Sequence, residues 1–120
     1  MGLWQAPEGH PFAPYQRLAA EWRDDHLAQL AATVGGGRVG PGPASVVSSA
    51  ALQMGASRYL HDLGAEVGDP KMLLDASRLA DASRANVLSA HELAAKEAEA
   101  RPHDAMAELD RRLGLTGGKP

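Results

Sequence analysis

The chain has no cysteine. Disulfides, thiol chemistry and thiolate zinc sites are thereby excluded. Aromatic residues are few: Trp4, Phe12, Tyr15, Trp22 and Tyr59, four of them before Arg23. Much of the apolar content is alanine, which buries little area, and buried area returns only roughly 25 cal/mol per Å². A chain of 120 residues is one domain at most. A core this thin makes oligomerisation the expected supplement. No basic tract occurs, and the formal charge is −3, with Arg17 and Arg23 set against Glu8, Glu21, Asp24 and Asp25 near the start. Phosphate binding needs clustered Lys and Arg, so a lone subunit is not expected to grip nucleic acid by charge. A ring of subunits could still line up sparse arginines. No run is long and apolar enough to span a bilayer. The opening residues lack a basic region followed by an apolar run, so no secretory signal is read there. Ala6 stands where a myristoylation signal wants Ser or Thr. The expectation is a cytoplasmic protein with no membrane partner.

What is present is helical. Residues 1–13 hold Pro7, Gly9 and Pro11, with Pro14 following, and read as an extended arm. Trp4 and Phe12 in that arm are expected to dock on the chain's own helices or on a neighbouring subunit. A first helix runs from about Pro14 to Val34, with Tyr15, Leu18, Trp22, Leu27, Leu30 and Val34 as its apolar stripe. Gly35 is its expected cap. Residues 35–43 read as a glycine-rich loop; with no Lys-Ser/Thr pair after the glycines and no strand before them, a phosphate loop is not supported. A second helix is expected from about Ala44 to Val67, with Leu52, Ala56, Tyr59, Leu60, Leu63 and Val67 as its core stripe. Ser48, Ala51 and Gly55 form a small-residue face where another helix can come close. Gly55 costs about 1 kcal/mol against Ala in mid-helix, so it is either a crossing point or a simply tolerated glycine.

Gly68-Asp69-Pro70 is the clearest break in the chain. Asp69 can cap the next helix and Pro70 suits its first turn. That helix is expected to reach about Arg101, stepping through Leu73, Ala76, Ala80, Ser83, Val87, Ala90 and Ala94 until Pro102 stops it. Two helices joined so tightly form an antiparallel hairpin over residues 44–101. A short fourth helix over 104–113 and a disordered tail over 114–120 complete the expected all-α fold, with residues 14–113 as one helical domain.

No constellation for catalysis emerges. Asp75, Arg78, Asp81 and Arg84 recur at three-residue steps and form a spiral ladder on the third helix. Arg78 can reach both Asp75 and Asp81. The ladder is either a self-neutralised surface or a source of Arg78 and Arg84 contacts to another subunit. His10, His26, His61, His91 and His103 have no second ligand at metal spacing. His61-Asp62 and His91-Glu92 are neighbours expected to point to different faces. Asp24-Asp25 lacks converging carboxylates. Glu92–Lys96 and Glu97–Arg101 are four-apart pairs that support the helix end. No nucleophile elbow surrounds any Ser. The reading is a non-enzyme with no catalytic residue, cofactor or metal.

Two segments, Gly42-Pro-Ala-Ser-Val-Val-Ser-Ser-Ala-Ala-Leu-Gln53 and Leu79-Ala-Asp-Ala-Ser-Arg-Ala-Asn-Val-Leu-Ser-Ala-His-Glu-Leu-Ala94, carry a resemblance. Over roughly Pro41 to Pro102 the chain resembles terminase small-subunit-like proteins of phage and prophage DNA-packaging modules. That resemblance implies a non-enzymatic ring oligomer in a bacterial host, assembled through a central helical hairpin. It implies recognition of viral double-stranded DNA and regulation of a terminase large subunit that holds the ATPase and nuclease. The chain departs from many such proteins in having a single helix, not a helix-turn-helix, before Gly35. On this reading Arg17, Arg23 and Arg38 are the DNA-contact candidates. Ser48, Ala51, Gly55, Arg78 and Arg84 are the oligomer-contact candidates. The alternative is a helical interaction or scaffold module unrelated to DNA.

Overall fold

The computed structural model describes residues 5–34 and 36–100. Three helices make up the fold among the described residues: α1, Ala13–Thr33; α2, Pro41–Val67; and α3, Pro70–Glu99. No strand is present among them. The fourth helix and the tail expected from the sequence lie outside the described residues, as do Trp4 and the Gly35 cap.

The break between α2 and α3 forms as its residues dictate. Gly68 adopts the left-handed conformation, with φ 70° and ψ 37°, and its N–H bonds to the Gly64 carbonyl. Glycine takes that conformation without a Cβ penalty. Asp69 Oδ1 then accepts the Lys71 N–H at 2.9 Å, and Pro70 opens α3.

The start of α2 differs from expectation. The helix begins at Pro41, three residues before Ala44, so Pro41, Gly42 and Pro43 belong to the helix and not to the loop. Proline in a first turn sacrifices only an N–H that has no intrahelical partner. One donor at this end is met from across the hairpin: the Gly40 N–H bonds to Glu97 Oε1 at 3.0 Å. A carboxylate at a helix N-terminus also opposes the positive end of the helix dipole. Glu97 therefore caps α2; Arg101, its expected partner, lies outside the described residues. A Cβ on Gly40 would fall 2.6 Å from the Glu97 carboxylate oxygens.

Helices α2 and α3 run antiparallel. Ser57 Oγ donates to the Ala76 carbonyl at 2.6 Å, Ser83 Oγ to the Ala50 carbonyl at 2.8 Å, and Asn86 Nδ2 to Gln53 Oε1 at 2.8 Å. The facing residues are small and recur every seven positions: Pro43, Ala50, Ser57 and Gly64 on α2, and Ala76, Ser83 and Ala90 on α3. A hydroxyl can reach the backbone of the opposite helix only when the helices are close, and these side chains permit that. A Cβ on Gly64 would sit 2.9 Å from Met72 Cβ.

Helix α1 lies along a different face of α2, also antiparallel to it, since Tyr15 reaches Asp62 while Leu30 packs with Val47. Helices α1 and α3 each pack along α2 and barely touch each other. They meet where Leu30, Val47, Ala90 and Ala94 form a buried cluster, flanked by Trp22, Leu27, Val34, Val39 and Val46. Elsewhere the buried residues are small.

The expected core stripe of α2 is overturned in part. Leu52 and Val67 are 42% and 58% exposed. At 100° per residue, Ala56, Leu63 and Val67 point roughly 80–120° from Gly55, which faces α1, and roughly 100° or more from Ala50, which faces α3; Leu52 lies about 60° from Gly55 and about 160° from Ala50. Small residues took the inside positions because they allow closer helix approach. The larger ones were displaced to the outer face.

The segment before α1 turns where an extended arm was expected. The His10 N–H bonds to the Pro7 carbonyl and the Ala13 N–H to the His10 carbonyl, both at 2.9 Å. Ala6 N–H donates to Gln16 Oε1 at 2.7 Å. Phe12 docks on the chain's own helices, with its ring centroid 5.6 Å from Tyr59 and 6.4 Å from Tyr15.

Candidate functional site

Three surface features have the geometry to do something, and all follow from the splayed helix arrangement. The first is the outer stripe of α2 just described. The second is a groove of about 400 Å³ between the N-terminal segment, α1 and α2. Its lining includes Arg17, Arg23, Phe12, Ser48 and Leu52. The third is a groove of about 550 Å³ over α2 between α1 and α3. Trp22 and His26 form one wall, Met54 and Arg58 the floor, and Arg84, Val87 and Leu88 the other wall. The Trp22 and His26 rings stack at 3.8 Å, and His26 Nδ1 lies 3.0 Å from the Trp22 carbonyl.

The three arginines nominated for DNA do not form one patch. Arg17 and Arg23 share the second groove. Arg23 Nε pairs with Asp24 Oδ1 at 3.2 Å. Arg38 is exposed on the link from α1 to α2. Arg17 lies about 24 Å of helix rise from Thr33, at whose end that link begins.

Of the small face, Ala51 and Gly55 are buried, and the helix that crosses there is α1 of the same chain. A Cβ on Gly55 would lie 3.0 Å from the Tyr15 carbonyl oxygen and 3.1 Å from Ala19 Cβ. Ser48 is half-buried and donates to the Ala44 carbonyl at 3.1 Å. The charge ladder closes along α3 itself. Arg78 pairs with Asp75 at 3.8 Å, Lys71 with Asp75 at 3.7 Å, and Arg84 bonds to Asp81.

A polar clasp joins α1 to α2. Tyr15 Oη donates to Asp62 Oδ2 at 2.6 Å, and His61 Nδ1 lies 3.5 Å from Asp62 Oδ1. His61 and Asp62 thus reach each other, contrary to the expectation that they point apart. The hydrogen bond from Tyr15, then that from His61, holds the Asp62 carboxyl below its ordinary range. The same bond to Asp62, with some desolvation, raises the Tyr15 hydroxyl above its ordinary value.

Among the described residues, no three His, Asp or Glu side chains converge as a metal site. None of the described helices is long and apolar enough to cross a membrane. No family model, curated protein or solved structure matches the chain.

The convergence of Arg58, Arg84 and His26 was not foreseen. They come from three helices, and their spacing in sequence carries no periodicity that links them. The small-residue contact between α2 and α3 did leave a signal. Its seven-residue step on α2 is matched by the same step on α3.

Proposed function

We propose that this chain is a non-catalytic helical subunit that assembles with copies of itself through the outer face of α2. In the terms of the terminase small-subunit resemblance, the assembly recognises viral double-stranded DNA and regulates the large subunit's ATPase and nuclease. The observation that carries the assembly reading is the stripe of Leu52, Ala56, Leu63 and Val67, turned away from α3, bordering the α1 groove only at Leu52, and substantially exposed at Leu52 and Val67. Fully burying one such aliphatic side chain contributes about 1.5–3 kcal/mol. A second copy laid on the stripe recovers part of that, which a core whose larger buried aliphatic residues, among those described, are Leu30 and Val47 supplies sparingly. The subunit contact moves accordingly from the Ser48, Ala51 and Gly55 face to the neighbouring side of α2, about 100° around the helix.

The DNA reading draws support from Arg17 and Arg23 in one groove. Repetition around an oligomer would add their phosphate contacts. Sedimentation equilibrium of the full chain and of Leu63→Asp tests the assembly. The wild type is expected to associate at tens of micromolar and the variant to be monomeric with unchanged helicity. A monomeric wild type overturns the reading. Duplex binding by anisotropy at two salt concentrations tests the second half, with loss expected in the Arg17→Ala, Arg23→Ala double variant. An assembled protein that binds no duplex at low salt is an interaction or scaffold module unrelated to DNA.

A further inference from the structure

We infer that the groove between α1 and α3 receives an amphipathic helix from a partner protein, one whose apolar stripe is flanked by carboxylates. Shape is the first reason. Helices α1 and α3 lie on different faces of α2, close together at the Leu30, Ala90 and Ala94 end, and leave a trough over α2 near Trp22 and Arg84. A fourth helix laid in such a trough makes the ridge-and-groove contacts of a bundle.

Chemistry is the second reason. Met54, Val87 and Leu88 offer apolar surface, and Leu88 is 67% exposed, the most open of the large aliphatic residues described. Anchors at i, i+3, i+4 and i+7 of a docked helix suit such a surface. The lining carries Arg58, Arg84 and His26 and no Asp or Glu. Its charge is opposite in sign to the formal −3 of the whole chain. Arg84 is bonded to Asp81 on the exposed side of α3. A guanidinium has five N–H donors, so that bond leaves capacity for a carboxylate of the incoming helix. An exposed pair of this kind also contributes little by itself.

The charge pattern distinguishes this occupant from a second copy seated by its outer stripe. That stripe is bordered by Ser45, Ser49 and Gln53 along its first half, and its carboxylates, Asp62 and Glu66, occur only at the end near Leu63 and Val67. A second copy seated by that stripe offers the two arginines carboxylates at one end only, and one of these, Asp62, already accepts from Tyr15.

The test uses the full chain and two designed helical peptides sharing one leucine stripe, one flanked by glutamates and its twin by lysines. Fluorescence anisotropy of the labelled peptides is read at low and at moderate salt. The glutamate peptide is expected to bind, more weakly as salt rises. The lysine twin is expected to bind at least about tenfold more weakly, a difference of about 1.4 kcal/mol. Arg58→Glu with Arg84→Glu is expected to reverse the preference, with circular dichroism unchanged because both side chains are exposed. Leu88→Asp is expected to weaken both peptides. Equal binding of the twins, no binding of the glutamate peptide, or wild-type binding by the double arginine variant overturns the inference. So does a homo-oligomer that Leu88→Asp dissociates and Leu63→Asp does not, since the groove would then belong to a second copy.

Discussion

Gly55 acts within the chain. The α1 backbone at Tyr15 and the Ala19 side chain occupy the space a Cβ would need. Neither is the far end of a flexible side chain, so a larger residue must push α1 away. Gly55→Leu is expected to cost about 1–3 kcal/mol by overpacking, read as a lower urea midpoint. The molecules that remain folded are expected to associate as before, because Gly55 is buried under α1 and is not part of the outer stripe. The Tyr15–Asp62 clasp holds the same interface by chemistry, and its pH dependence has a definite sign. Asp62 is depressed, so its contribution is complete above the ordinary carboxylate range and is lost as pH falls through the lowered value. Tyr15 is raised, so its contribution is complete below the ordinary tyrosine value and is lost as pH rises through the higher one. The clasp is therefore intact across neutral pH. Thermal melts of wild type and Asp62→Asn are expected to differ at neutral pH and to converge on acidification. A constant difference down to strongly acidic pH would show that the bond does not couple to folding.

At the scale of the element, the antiparallel pairing of α2 and α3 rests on small residues at seven-residue steps. Ser83 is only 4% exposed and its hydroxyl spans to the Ala50 carbonyl. Ser83→Ala is expected to cost about 0.5–1.5 kcal/mol, the net value of one hydrogen bond; the carbonyl keeps its place in the helix ladder. Ser83→Leu must separate the helices and is expected to cost clearly more than Ser83→Ala by chemical denaturation. If the leucine variant is the more stable, the helices are not in close contact there. Much of this element was legible in the sequence. Gly68-Asp69-Pro70 specified the break through three local preferences that agree with one another. The choice of inward face on α2 was not legible from hydrophobicity. Leucine count favours the Leu52–Leu63 side, whereas close approach favours the Ala50–Ser57–Gly64 side, and only the matching step on α3 decides between them. Glu97 illustrates a further limit. Its spacing to Arg101, which lies outside the described residues, suggested a local pair and gave no sign that the carboxylate bonds across the hairpin to Gly40, a partner that sequence distance conceals.

For the molecule as a whole, the consequence of an inside built mostly from Ala, Ser and Gly is that large aliphatic residues remain in contact with water. Leu52, Val67, Leu74 and Leu88 are each more than two-fifths exposed. These residues fall on different sides of the three-helix unit, so burying one set leaves the others open. Assembly through α2 would cover Leu52 and Val67 and spare Leu88 in the groove between α1 and α3. Stability should then depend on protein concentration, because a partner that binds only the folded chain shifts unfolding by mass action. The thermal midpoint of the wild type is expected to rise as concentration is raised a hundredfold. Leu63→Asp removes the apolar contact at the middle of the stripe without filling any packed space, so its midpoint is expected to be lower and independent of concentration. Gly55→Leu provides the contrast: it lowers the midpoint through the α1 contact and keeps the concentration dependence. Scanning calorimetry of the three proteins over the same concentration series separates the two effects. A wild-type midpoint that does not move with concentration would mean that the stripe stays open in the folded protein, and the assembly reading would fall.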